Sequence, residues 1–149
     1  MNPMQEVFIR VATSEDAAAI ALLSNELGYP ASAEAIQERL ARLLNNSSHK
    51  IYVATQEDNI LGWIACEQRL LLESGEVFEI VGLVVGKAAR RKNVGRQLVR
   101  AAEQWAEALS ARALRVRSNV QRQESHPFYR ALGFEKSKTQ HTYVKSLLS

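Results

Sequence analysis

Residues 77–109 constrain the fold more than any other part of the chain. Val77 to Val85 ends in a near-continuous apolar run (Ile80, Val81, Leu83, Val84, Val85), the pattern of a strand buried on both faces. Lys87, Arg90, Arg91, Lys92, Arg96 and Arg100 then fall in one stretch that holds no acid. From Val94 to Leu109 the residues Val94, Leu98, Val99, Ala102, Trp105 and Leu109 recur at helical spacing, predicting an amphipathic helix. A buried strand therefore runs into a basic loop that ends at a helix N-terminus. The unpaired N–H groups and positive dipole end there make an anion site. The surrounding Arg and Lys side chains add charge-assisted hydrogen bonds. Gly95 removes a side chain where a ligand would come close, and Asn93 is one of the few non-glycine residues that accept a positive φ. A diphosphate suits such a loop; the same residues also read as a capped surface helix with solvated charges. Neither a G-x-x-x-x-G-K-[ST] loop nor a G-x-G-x-x-G fingerprint occurs.

The rest of the chain supplies the other layers. Gln5 to Ala12 alternates Val7, Ile9 and Val11 with polar residues and predicts a strand. Thr13-Ser14-Glu15-Asp16 opens a helix carrying Ile20, Leu23 and Leu27, which Gly28 stops. Ser32 opens a second helix with the stripe Ile36, Leu40, Leu43 and Leu44. Ile51–Thr55 and Ile60–Leu71 predict a hairpin around the polar hinge Gln56–Asn59. Leu114 to Ser118 predicts a short strand, Gln123 to Leu132 a short helix capped by Gly133, and Phe134 to Lys145 a final strand or strand pair. The order β-α-α-β-β-β-α-β-α-β predicts one α/β (α+β) domain over residues 1–149, a mixed sheet covered by helices.

Composition narrows the classes. At 149 residues with 46% apolar content, the chain can bury a sizeable core. No apolar run approaches the roughly 18–20 residues that cross a bilayer, and no secretory pattern opens the N-terminus. Cys66 is the sole cysteine, which rules out an internal disulfide and makes the cytoplasm the simplest setting. Residues 1–85 carry five Lys/Arg against twelve Asp/Glu, whereas residues 86–149 carry fourteen against four. That basic half admits nucleic acid, an anionic cofactor or a solvated face; no aromatic residue interleaves the basic loop, so no nucleic-acid partner is expected. His49, His126 and His141 show no ligand spacing, and no metal site is expected.

Arg90, Asn93 and Gly95 resemble the pyrophosphate-binding motif [QR]-x-x-G-x-[GA] of the GCN5-related N-acetyltransferases, with Asn93 replacing the middle glycine. A second segment, Asn119 to Phe134, is similar to the late motif of that family, in which an asparagine precedes a helix ending F-Y-x-x-L-G-F. In places the chain also resembles the aminoalkylphosphonate acetyltransferases, sharing N-V-G after the basic loop and N-V-x-R before H-x-F-Y. The resemblance implies a mostly antiparallel sheet whose two central strands splay apart, flanked by about four helices. It implies acetyl-CoA as cosubstrate, its pantetheine arm beside the strand residues Leu83, Val84 and Val85. Its pyrophosphate would rest on the amides of Arg91, Lys92, Asn93, Val94, Gly95 and Arg96, beside Arg90. Acetyl would pass to a small-molecule amine or a protein amino group by direct attack in a ternary complex. Homodimers are common in the family.

Acetyl transfer asks mainly for positioning, together with proton transfer from the amine and to the thiolate. Tyr129 is the candidate acid, since a phenol near pKa ~10 is roughly matched to a thiol near ~8.5; its alternative is a core aromatic beside Phe128 and Phe134. Glu79, a carboxylate in an apolar strand on the expected face of Val81 and Leu83, is the candidate base; its alternative is an ion pair. Glu76 ranks lower. Asn119 would contact the pantetheine or cap a turn, and His126 would relay protons or serve structurally. Tyr29, Trp63, Glu26 and His126 are candidates for the acceptor pocket. Two other functions share these features: a non-catalytic acetyl-CoA sensor and a nucleic-acid-binding domain.

Overall fold

A computed structural model describes residues 6–90, 92–117 and 125–148, with the side chains of residues 125 and 126 outside the description. The chain divides into two compact units, Met1–Arg117 and Ser118–Ser149.

In the first unit five strands lie in sequence order: β1 (Phe8–Val11), β2 (His49–Gln56), β3 (Asn59–Leu71), β4 (Gly75–Val85) and β5 (Arg115–Val116). The first four pair antiparallel, and β5 joins β4 in parallel through two residue pairs, Glu79 with Arg115 and Ile80 with Val116. Helices α1 (Ala17–Glu26), α2 (Ala33–Leu44) and α3 (Val94–Ala108) cover the sheet. The β2–β3 hairpin turns through Glu57 and Asp58, both at positive φ (50° and 69°), the primed geometry that matches strand twist.

Two faces follow from the register, because cross-strand partners share a side. Ile51, Val53, Trp63 and Ala65 face α1 and α2, where Ala12, Ala17, Ile20 and Leu40 complete a core. On the other face Phe78 meets Trp105 of α3 edge-on, ring centroids 5.6 Å apart, and Leu98 approaches Gly62. A β-bulge shifts this bookkeeping. Ala65 pairs with Gly82 and Cys66 with Ile80, so Val81 has no partner on β3.

Asp16 fixes the entry to α1. Its carboxylate accepts two bonds from the Arg10 guanidinium (2.8 and 2.9 Å) and one from the Thr13 N–H (2.8 Å). The guanidinium holds its pKa below the ordinary carboxylate value despite burial. At the C-terminus of α1, Gly28 has φ 86°, with the Tyr29 N–H on the Ser24 carbonyl and the Gly28 N–H on that of Asn25, a Schellman pair. The end of α3 has the same pair of bonds around Ser110, at φ 64°.

The second unit contains α4 (Ser125–Ala131), closed by Gly133 at φ 93°; the Phe134 N–H reaches the Tyr129 carbonyl at 3.0 Å. Among the described residues no helix is long and apolar enough to cross a membrane.

Four expectations are corrected. The final strand expected over 134–145 does not form: residues 135–148 take no regular secondary structure, and Tyr143, Val144, Leu147 and Leu148 are all exposed. A strand needs a neighbour for its backbone groups, and none of the described residues provides one. The first strand is shorter than expected, and Val11 is exposed at its end, while Ala12, whose N–H still reaches the Ile51 carbonyl at 2.9 Å, turns to the opposite face and is buried in the core beneath α1 and α2. The strand expected over Leu114–Ser118 is Arg115–Val116, with Ser118 outside the described residues. Leu109 is exposed because α3 ends at Ala108.

Candidate active site

The β4–α3 connection forms as its sequence requires. Gly86 is buried and extended: its N–H donates to the Leu61 carbonyl at 2.8 Å, and a Cβ there would stand 2.8 Å from Leu23 Cδ2. Lys87–Ala89 makes one turn of 3₁₀ helix pinned by buried Ala89, and Asn93 precedes α3 in the left-handed region at φ 60°, ψ 21°. The first helical bond runs from the Gln97 N–H to the Asn93 carbonyl, so the amides of Val94, Gly95 and Arg96 lie ahead of any intrahelical acceptor. Lys87, Arg90, Lys92 and Arg96 are exposed around them. Arg91 lies outside the described residues.

Beside this loop, one edge of β4 has no strand partner among the described residues. The Gly86 N–H points at β3, and so, two residues earlier, does Val84, whose carbonyl crowds the Gly62 position from the β3 side. Backbone direction alternates along a strand, so the polar groups of Leu83 and Val85 face the opposite side. There the β5 ladder has already ended at Ile80, and among the described residues no strand continues it. An extended chain bearing amides fits that edge, and an anionic group fits the loop beyond it. A coenzyme with a pantetheine arm and a diphosphate has both features.

Glu79 is 3% exposed and stands on β4 directly across from Glu67 and Arg115. The expected alternation with Val81 and Leu83 fails because Val81 is the bulge residue. Glu79 instead shares its face with Gly82 and Val84, toward α1 and α2. Arg69 Nη2 lies 2.8 Å from Glu79 Oε1, and Arg117 Nε lies 3.4 Å from Oε2. Both carboxylate oxygens are thus engaged, the ion-pair alternative read from the sequence. Glu76 is exposed on the same strand.

The pocket candidates separate. Glu26 accepts the Lys87 N–H on Oε1 at 2.8 Å and so ties the end of α1 to the basic loop. Trp63 lays its ring over Gly82, where a Cβ would come within 2.8 Å, and its Nε1 is buried without a hydrogen-bond partner. Tyr29 is 45% exposed just past α1. Within the second unit, Tyr129 contacts Phe128 and Phe134 edge-on, at centroid distances of 5.2 and 5.8 Å. Asn119 and the side chain of His126 lie outside the description. An open cavity of about 800 Å³, lined by Glu6, Val7, Gln56, Glu57, Lys92 and Gln97, was not anticipated; Lys92 Nζ donates to Gln56 Oε1 across it at 3.2 Å.

The model of the acetyltransferase (GNAT) family matches residues 15–134. The chain belongs to that family. It is 30% identical over 135 residues to an aminoalkylphosphonate N-acetyltransferase of Salmonella typhimurium, covering 87% of this chain and 85% of that one. In fold it is similar to the aminoglycoside N-acetyltransferase AAC(6')-Iy in complex with CoA (TM-score 0.86, 19% identity, 97% of this chain and 99% of that one). It is likewise similar to a GNAT family acetyltransferase of Staphylococcus aureus (TM-score 0.79, 19% identity, 95% and 100%). For this GNAT chain the residues that sequence reasoning missed are Arg69 and Arg117. Their only signal is that they share a face with Glu79, which depends on a register the sequence does not display.

Proposed function

We propose that this protein transfers an acetyl group from acetyl-CoA to the primary amine of a small molecule. The observation that carries the reading is the β4 edge at Leu83 and Val85, unpaired among the described residues, leading into the amides of Val94, Gly95 and Arg96 among exposed basic side chains. The names of the relatives, which acetylate amines of aminoalkylphosphonates and aminoglycosides, support a small-molecule acceptor. Bound acetyl-CoA supplies an acetyl thioester, an acyl group already activated for transfer.

The protein's own part is to hold and to move protons. The backbone of Leu83 and Val85 aligns the pantetheine arm, while Arg90, Lys92 and Arg96 with the α3 amides hold the diphosphate. The amine nitrogen attacks the thioester carbonyl, the C–S bond breaks, and the thiolate takes a proton from the Tyr129 phenol. Glu79 receives the amine's proton through water or, alternatively, fixes Arg69 and Arg117.

Calorimetry with coenzyme A, followed by thiol release over a panel of amines, tests the reading. Uptake together with amine-dependent release is expected; a chain that takes up no coenzyme A refutes it. Tyr129→Phe is expected to retain coenzyme binding and to lower kcat by about 10²-fold or more. Glu79→Gln separates the two roles of that residue: loss of the acidic limb of the pH–rate profile marks a base, and a lower rate with an unchanged limb marks a positioning residue.

A further inference from the structure

The place where β4 and β5 part carries an excess of arginine. Among the described residues, Arg69, Arg115 and Arg117 stand with two carboxylates, Glu67 and Glu79, on one face there. Glu79 is the buried member, its side chain 4% exposed, and a single guanidinium, Arg69 at 2.8 Å, already neutralises it. Arg117 adds a second, at 3.4 Å, through Nε alone. Its two Nη groups, which hold most of the guanidinium's donors, make no other ion pair among the described residues, and its side chain is 61% exposed. Arg69 is likewise not saturated: its Nε is buried without a hydrogen-bond partner, 3.7 Å from Glu67 Oε1. Arg115 pairs with no acid among the described residues.

A buried carboxylate that needed only neutralising would not require this second, largely solvated guanidinium, since an exposed pair adds little stability. What Glu79 does for Arg117 is to fix it. With Nε held, the planar fork of Nη groups is presented in one orientation, the arrangement that binds tetrahedral and carboxylate oxyanions in bidentate fashion. Arg117 directly follows Val116, whose pairing with Ile80 is the last of the β4–β5 ladder, and in the acetyltransferase reading the acceptor amine comes to the place where that ladder ends.

We infer that the acceptor carries an acidic group close to its amine, a phosphonate, phosphate or carboxylate, and that Arg117, backed by Arg69, selects for it. The inference rests on the acetyltransferase reading and deepens it.

Three amines of similar length test it with the full chain and acetyl-CoA: aminoethylphosphonate, β-alanine and propylamine. The ratio of kcat/KM for either acidic amine to that for propylamine is expected to exceed about tenfold, the value of one charged hydrogen-bonded contact. Arg117→Gln should reduce that ratio by about tenfold, and Arg117→Lys, which keeps the charge but not the fork, by less. The phosphonate and β-alanine arms distinguish a tetrahedral from a planar oxyanion. Equal rates on all three amines, or a ratio unmoved in both variants, overturn the inference and leave the acetyltransferase reading in place. Thiol release from none of them, with no coenzyme A uptake by calorimetry, overturns both.

Discussion

Cys66 sits on β3 with 1% of its surface exposed, and burial pushes its thiol up to about 12. A thiolate is the reactive form, so the folded protein is expected to resist a disulfide reagent at pH 8 and to react fully in denaturant; fast native labelling would contradict the burial. Glycines give a second test at this scale. At Gly62 a Cβ would meet the Val84 carbonyl at 2.7 Å, and backbone cannot yield, so Gly62→Ala should cost about 3 kcal/mol in urea unfolding. At Gly82 the obstacle is the Trp63 ring, which can tilt, and Gly82→Ala should cost less, about 1–2 kcal/mol. Some residue-level chemistry was legible beforehand. Asn93 was expected at positive φ because its short polar side chain tolerates that region, and it is found at 60°. The company Glu79 keeps was not legible, because it depends on which residues of β3 and β5 stand opposite.

Elements with a strong period were read closely, and those that depend on partners were not. The inner stripe of α3 (Val94, Leu98, Val99, Ala102 and Trp105) is buried as its spacing requires. The strand expected over residues 134–145 had only weak alternation to support it, and it does not form among the described residues. Entry to α1 gives an element-scale prediction. The folded pKa of Asp16 is lowered, so its contribution is present above the unfolded value near ~3.9 and is lost as pH falls through the folded value. Asp16→Ala should cost about 1 kcal/mol at pH 7, and the difference from wild type should shrink on acidification; a constant difference down to pH 2 would remove the ion-paired cap from the account.

For the molecule as a whole, the family and the mixed sheet followed from two motifs in order and from the element sequence, which need no register. The charge asymmetry of the chain has a use in the proposed function: the basic loop attracts a polyanionic coenzyme, so coenzyme A affinity should fall as ionic strength rises from low to physiological. An affinity indifferent to salt would leave the exposed arginines and lysines as solvated charge. The bulge at Val81 matters at this scale too. The residue is 49% exposed and can be exchanged for threonine within about 0.5 kcal/mol. Deleting the residue is another matter: Ile80 and Gly82 already stand opposite Cys66 and Ala65, so the ladder would close in register, and β4 would lose the local bend and added twist that a bulge provides. At this position the kind of side chain matters little, and the presence of one extra residue sets the course of the strand.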